Sequence, residues 1–171
     1  TAVVPHYAMS GGTLIALAAD KIVLDSHTAL GPVDPQLGEY PARSILEAVE
    51  ENGNHEDKTL IMADVARKAL EQVEVFTTSL LERNLEPKRA RETARILATG
   101  TWTHDHPLLA PDLMALGLPV EVGIRDEERE LMTLYPQPRG RTPAVEYSPG
   151  PPSPTFPQRR NPQRAGRELK R

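Results

Sequence analysis

Cysteine is absent from the 171-residue chain. Disulfides, zinc sites built on thiolates and thiol nucleophiles are therefore excluded, and a covalent mechanism would have to use a hydroxyl group. Long apolar runs are also missing: none approaches the roughly 20 residues that span a bilayer, and no signal peptide opens the chain. Because Thr1 lies inside a predicted strand, we expect an N-terminal portion to precede it. Any membrane anchor would lie there, so the predicted location is the cytoplasm or a membrane surface.

Acidic and basic residues are unevenly distributed along the chain. Residues 136–171 carry eight Arg or Lys and two Glu, so the overall formal charge of -4 leaves -10 on residues 1–135. The same tail holds nine prolines, which predicts extended or disordered chain. An acidic body and a tail without interleaved aromatic residues do not favour nucleic-acid binding. We expect one folded domain over residues 1–135, a disordered tail over residues 136–171 and no nucleic-acid partner.

Strand and helix signals alternate through the predicted domain. Proline and glycine between residues 27 and 38 predict a loop without regular structure. The predicted strands are residues 1–4, 21–24, 101–103 and 118–122, and the predicted helices are residues 13–19, 58 to about 83, 87–97, 111–116 and 126–134. This alternation predicts an α/β core with parallel strands and packed helices.

The longest predicted helix, from Lys58 to about Arg83, is amphipathic. Its apolar face is predicted from side chains that recur at steps of three or four residues: Ile61, Val65, Ala69, Val73, Phe76 and Leu80.

One serine lies where a predicted strand turns into a predicted helix, in the sequence from Tyr7 to Gly12 (YAMSGG). Such a turn exposes the hydroxyl of Ser10, and the helix start behind it favours negative charge. The N–H of Gly11 is placed to donate to a developing oxyanion. A serine before two glycines is also typical of a helix N-cap, so the spacing leaves both interpretations open.

Several segments resemble a known family. The run from Tyr7 to Ile22 resembles the nucleophile segment of the Clp protease and signal peptide peptidase A families. With residues 30–38 (LGPVDPQLG), 63–66 (ADVA) and 100–105 (GTWTHD), it more closely resembles the serine dehydrogenase proteinase family, a distant Clp relative. The similarity covers roughly residues 1–125.

The resemblance implies a partial fold of the ClpP and crotonase-like type, because a glycine-rich oxyanion loop and flanking strands would precede Thr1. Residues 1–135 would then be the C-terminal part of a serine protease domain. The implied reaction is peptide-bond hydrolysis through an acyl-enzyme on a peptide or protein substrate, with no metal or organic cofactor. Relatives commonly form rings or smaller homo-oligomers, which implies a homo-oligomer, and this truncated chain could be inactive alone.

The family is described as using a triad in the chain order Ser, Asp, His. Carried over, Ser10 is the nucleophile, with Gly11 as the oxyanion donor. His104 is the inferred base, near where the Clp protease places its acidic member. Asp34 is the inferred acid, near where that protease places its histidine. Acid and base would thus have exchanged sequence positions while the triad geometry survives.

Other interpretations of these residues remain open. Asp105 could replace Asp34, which could instead be a turn residue between two prolines. His104 and His106 could bind a metal ion, although this pair lacks a third ligand. His6 and His27 flank the serine segment and are predicted to be surface or strand-end residues.

Lys58 offers a different base. Proteases related to signal peptide peptidase A pair serine with a lysine, which must be desolvated to be neutral near pH 7. The adjacent Glu56 and Asp57 would stabilise its charged form, which favours the triad over this dyad.

Two other functions are compatible with the sequence. A crotonase-type acyl-CoA enzyme would use a similar pair of amides to stabilise an enolate, but a serine followed by two glycines favours the protease. A non-catalytic scaffold or partner-binding domain would keep the fold without a complete site.

Overall fold

Strands and helices alternate through the folded part of the chain, of which a computed structural model describes residues 1–51 and 53–135. The strands are β1 (Ala2–Val4), β2 (Tyr7–Ala8), β3 (Ile22–Leu24), β4 (Ala29–Leu30), β5 (Gln36–Leu37), β6 (Tyr40–Pro41) and β7 (Val120–Val122). The helices are α1 (Gly11–Leu17), α2 (Ala42–Glu51), α3 (Asp57–Leu81), α4 (Pro87–Ala98), α5 (Ala110–Ala115) and α6 (Asp126–Thr133). The tail predicted to be disordered lies outside the described residues.

The central sheet has three parallel strands in the order β1-β3-β7. Its middle strand, β3, consists of Ile22, Val23 and Leu24, all of them buried. A central parallel strand is covered on both faces, so a continuous apolar run suits it. The predicted α/β class with parallel strands and packed helices is confirmed.

Small side chains allow α4 to pack closely on the core. Ala90, Ala94 and Ala98 recur every four residues along α4, and all three are fully buried. The remaining core is mostly leucine, and its largest fully buried apolar side chains are Leu17, Ile22, Leu24, Leu30, Leu81, Leu97, Leu108 and Leu113. Together they fix the sheet against α1, α3, α4 and α5.

The region predicted to be an irregular loop contains short strands. Within residues 27–38, β4 pairs in parallel with β2, and β5 forms an antiparallel hairpin with β6. Each has only two residues, too few to produce an alternating pattern. The strand predicted at residues 101–103 is wrong, since Thr101 and Trp102 form a bend and Thr103 has no regular structure. Helix α2 was missed, although Ala42 and Ile45 bury its inner face.

The most deeply buried face of helix α3 differs from the one its apolar spacing predicted, although Val73 and Leu80 of the predicted face are partly buried against the core. The buried positions are Ala63, Ala66, Leu70, Thr77 and Leu81. Ile61, Val65 and Phe76 are instead 65%, 45% and 51% exposed. Alanines at the contact let neighbouring helices approach closely, so the smaller side chains are inside. Among the described residues, no helix is long and apolar enough to cross a membrane.

Candidate active site

The backbone at Ser10 is strained between β2 and α1. Ser10 has φ 53° and ψ -115°, and it is the one non-glycine residue with positive φ in the part of the chain that the structure describes. Such a conformation costs on the order of 1–3 kcal/mol and must be held by its surroundings. The N–H of Gly12 donates to the carbonyl of Met9 at 2.8 Å, and that of Leu14 donates to the carbonyl of Ser10 at 3.2 Å. These bonds close the turn.

The Ser10 hydroxyl is not used to cap α1. Ser10 occupies the N-cap position, yet its side chain makes no capping hydrogen bond. No other residue within the described ranges hydrogen-bonds to its Oγ either. The N-cap interpretation that the sequence left open therefore does not describe this serine, whose hydroxyl is available for chemistry.

A buried threonine links the serine turn to the segment formed by residues 30–34. The hydroxyl of Thr13 lies 2.7 Å from the carbonyl oxygen of Ala8 and 2.9 Å from that of Gly31, and it accepts the N–H of Gly31 at 3.1 Å. A Cβ added at Gly31 would lie 2.5 Å from Cε of Met9, far inside van der Waals contact. A side chain at position 31 would therefore displace the end of the Met9 side chain, so the 30–34 segment lies close beside the residue that precedes Ser10.

The same 30–34 segment ends in Asp34, which contacts His104. Oδ1 of Asp34 lies 2.8 Å from Nδ1 of His104. The Asp34 side chain is only 2% exposed, while that of His104 is 32% exposed. Because a carboxylate oxygen only accepts, Nδ1 carries the proton and Nε2 is left as the free acceptor. A buried carboxylate thus orients a partly exposed imidazole.

The loop carrying His104 is held along the 30–34 segment. Leu30 and Leu108 exchange backbone hydrogen bonds at 3.0 and 2.8 Å. The rings of Trp102 and His106, on either side of His104, stack with centroids 5.4 Å apart. The 30–34 segment is therefore the common support, joined to the serine turn through Gly31 and to the His104 loop through Asp34.

The structure does not join all the predicted residues directly. Asp34 and His104 are in contact, whereas no hydrogen bond connects Ser10 to His104 among the described residues. Gly11, the predicted oxyanion donor, begins α1 and is exposed. An N–H in the first turn of a helix has no partner within the helix, so that of Gly11 can serve a ligand.

The residues considered as alternatives to Asp34 and His104 lie in surroundings that favour a catalytic role less. Lys58 is exposed at the second position of α3, without the burial that a neutral lysine base requires. Asp105, His6 and His27 are exposed as well. Within residues 1–51 and 53–135, no group of three potential metal-ligating side chains of the His, Cys, Asp and Glu types comes together.

One polar contact in the site was not predicted. Nε2 of Gln36 donates to Oδ2 of Asp34 at 2.7 Å. A single glutamine belongs to no recognisable motif. The one feature of the sequence that could have predicted this contact is the position of Gln36, two residues after the candidate acid.

The ClpP-like SDH-type serine proteinase family model matches residues 1–162 of the chain. The chain belongs to this family. The expected family resemblance and ClpP-like α/β fold are thus confirmed, and a protease-type function is supported. The match extends beyond the similarity expected from the sequence, which covers roughly residues 1–125.

Similar proteins occur in the archaeon Methanocaldococcus jannaschii. Uncharacterized protein MJ0137 is 51% identical over 151 residues, covering 87% of the chain and 53% of MJ0137. Uncharacterized protein MJ1495 is 49% identical over 152 residues, covering 88% of the chain and 52% of MJ1495. The chain therefore spans about half the length of these curated relatives. No solved structure matches it significantly.

Proposed function

We propose that the chain provides the nucleophile, base and acid of a serine peptidase. The observation that carries the proposal is the buried Asp34 carboxylate 2.8 Å from Nδ1 of His104, on the same segment that packs against the Ser10 turn. Orienting one imidazole nitrogen leaves the other to act as a base. Peptides or proteins are the proposed substrates, as expected for a proteinase family.

The reaction follows from the free hydroxyl and the oriented imidazole. Oγ of Ser10 adds to the carbonyl carbon of the substrate while Nε2 of His104 takes its proton. Asp34 stabilises the resulting imidazolium, and the N–H of Gly11 donates to the oxyanion. His104 then protonates the leaving amine. Water next attacks the acyl-enzyme with His104 again as the base, and the proton returns from His104 to Oγ of Ser10. The hydrogen bond between Oγ of Ser10 and Nε2 of His104 would form on substrate binding, because such bonds are often long or absent in free enzymes.

Labelling with a fluorophosphonate probe tests these roles in the full-length protein. Ser10→Ala removes the nucleophile and should abolish labelling, and His104→Ala should slow it by roughly 10³-fold or more. Asp34→Asn, which keeps the shape but not the charge, should also slow it strongly, whereas Asp105→Asn is the matched control and should label normally. Labelling that survives in Ser10→Ala, or equal losses from Asp34→Asn and Asp105→Asn, would contradict the proposal.

A non-catalytic scaffold is the second candidate for this length of chain. Within the described residues, β1 has no neighbour on its outer edge. A groove of about 650 Å³ lies between β1 and α1, where Ile15 is 76% exposed. These uncovered surfaces favour a site that needs further chain to be complete. By contrast, the family match gives no support to a crotonase-type acyl-CoA enzyme.

The proposal includes self-association through the outer face of α3. Val65, Val75 and Phe76 are 45%, 64% and 51% exposed there. Near the middle of the helix, Lys68 and Glu71 carry opposite charges, so an antiparallel second copy would place basic residues opposite acidic ones. A location in the cytoplasm or at a membrane surface stays a prediction of the sequence.

A further inference from the structure

Both carboxylate oxygens of Asp34 are occupied, although only one contacts His104. Oδ2 accepts the Nε2–H of Gln36 at 2.7 Å, and Oδ1 lies 2.8 Å from Nδ1 of His104. The Asp34 side chain is 2% exposed, whereas Gln36 itself is an exposed residue. An exposed residue thus donates a hydrogen bond to a carboxylate that is itself buried.

The backbone of Gln36 is fixed by a short hairpin. Gln36 pairs with Pro41 and Leu37 with Tyr40, and Gly38 makes the turn with φ 65°. The N–H of Ala42 donates to the carbonyl of Pro35 at 2.9 Å, which closes the hairpin on the residue after Asp34. Leu37 packs against the apolar cluster between α2 and α3. These contacts hold the backbone that carries the Gln36 side-chain amide in place.

We propose that Gln36 is a positioning residue for the Asp34–His104 pair, an inference that rests on the proposed peptidase function. By holding Oδ2, the amide fixes the rotation of the carboxylate, so Oδ1 stays directed at Nδ1 of His104. By occupying Oδ2, it also keeps water from forming a competing hydrogen bond to that oxygen. Both effects favour the imidazole tautomer with the proton on Nδ1 and a free Nε2.

The first test reads this tautomer directly and needs no activity. Full-length protein with ¹⁵N-labelled histidine is compared with Gln36→Met, which has a similar length but no amide donor. We expect the Nδ1–H form of His104 to dominate in the wild type and to lose population in Gln36→Met. Gln72→Met, the same change at an exposed position of α3, is the control and should match the wild type. An unchanged His104 tautomer in Gln36→Met would overturn the inference.

The second test asks whether Gln36 acts through Asp34. Gln36→Met should slow fluorophosphonate labelling about 3- to 10-fold, because a net hydrogen bond is lost while water partly replaces it. In an Asp34→Ala background, Gln36→Met should slow labelling no further. Equal slowing in both backgrounds would show an independent, merely structural role and overturn the inference.

The two tests also separate the inference from the function on which it rests. Loss of the Nδ1–H preference in Gln36→Met supports the positioning role whether or not the wild-type protein is labelled. A wild-type protein that is not labelled would overturn only the peptidase proposal. Conversely, labelling that depends on Ser10 and His104 but not on Gln36 leaves the peptidase proposal intact and removes the positioning role. Gln36→Glu keeps the shape of the side chain and places a second carboxylate beside Asp34, so it should disturb the tautomer at least as strongly as Gln36→Met.

Discussion

Gly31 shows how one residue without a side chain can connect the two halves of a site. Its N–H and carbonyl meet the Thr13 hydroxyl behind the serine turn, and its Cα lies against Met9. Three residues further along the chain, Asp34 contacts His104. The spacing of Ser10, Asp34 and His104 therefore depends on how closely this backbone approaches the turn.

Replacing Gly31 with alanine should disturb the serine turn more than the rest of the fold. The new Cβ would lie 2.5 Å from Cε and 2.9 Å from Sδ of Met9, so the end of the Met9 side chain, next to Ser10 in the chain, must move. We expect slower fluorophosphonate labelling in Gly31→Ala and recovery in the double variant Gly31→Ala/Met9→Ala, which removes the clashing atoms.

Gly53→Ala is the control for the Gly31 prediction, because no atom lies within 4 Å of a Cβ added there. It should label at the wild-type rate. A Gly31→Ala variant that labels normally, or a double variant that recovers nothing, would show that the approach of Gly31 to Met9 does not set the turn.

Elements with strong local signals could be predicted well, whereas those made by long-range pairing could not. Pro87 and the helical period placed α4 at Pro87–Ala98, one residue from the predicted end. By contrast, β4 exists because it pairs with β2 some 20 residues earlier, and no local pattern reports such a partner. The Asp34–His104 contact spans 70 residues, so the sequence suggested this pair only through its position relative to the Clp protease triad, and the fold brings the two residues together.

Helix α6 is attached to the rest of the domain through an ion pair whose strength depends on pH. Nη1 of Arg129 donates to Oδ2 of Asp25 at 2.6 Å. This hydrogen bond is the largest cause that lowers the pKa of Asp25 from 3.8 to about 2. Because the folded-state pKa is depressed, the contribution to stability is present above about pH 3.8 and is lost as the pH falls through about 2.

Arg129→Gln should raise the pKa of Asp25 toward its ordinary value, although the Ser26 N–H still lowers it, and side-chain ¹³C NMR titration would measure the change. Arg125→Gln is the matched control, since Arg125 pairs with Glu128 and not with Asp25. The Asp25 titration should be unchanged in that variant. Equal shifts in the two variants would indicate a general loss of positive charge and not the specific pair.

At the scale of the whole molecule, the groove beside β1 and the outer face of α3 are two of the apolar surfaces that the described residues leave uncovered. Since the chain spans about half of its relatives' length, both surfaces could be buried in a larger assembly. The face of α3 combines exposed apolar side chains with adjacent charges of both signs, and this combination is what a second antiparallel copy would require.

Phe76→Glu should weaken self-association of the full-length protein, because it buries a charge at the proposed contact between two α3 helices. Light scattering at several protein concentrations would show a lower mass than the wild type, and the wild-type mass should fall in high salt as the paired charges are screened. Leu131→Glu is the control, since Leu131 is similarly exposed, at 53%, but lies on α6. The proposal that α3 is the contact would be contradicted by a wild-type protein that stays monomeric or by equal effects of the two substitutions. The apolar face of α3 would then be expected to contact another segment of chain.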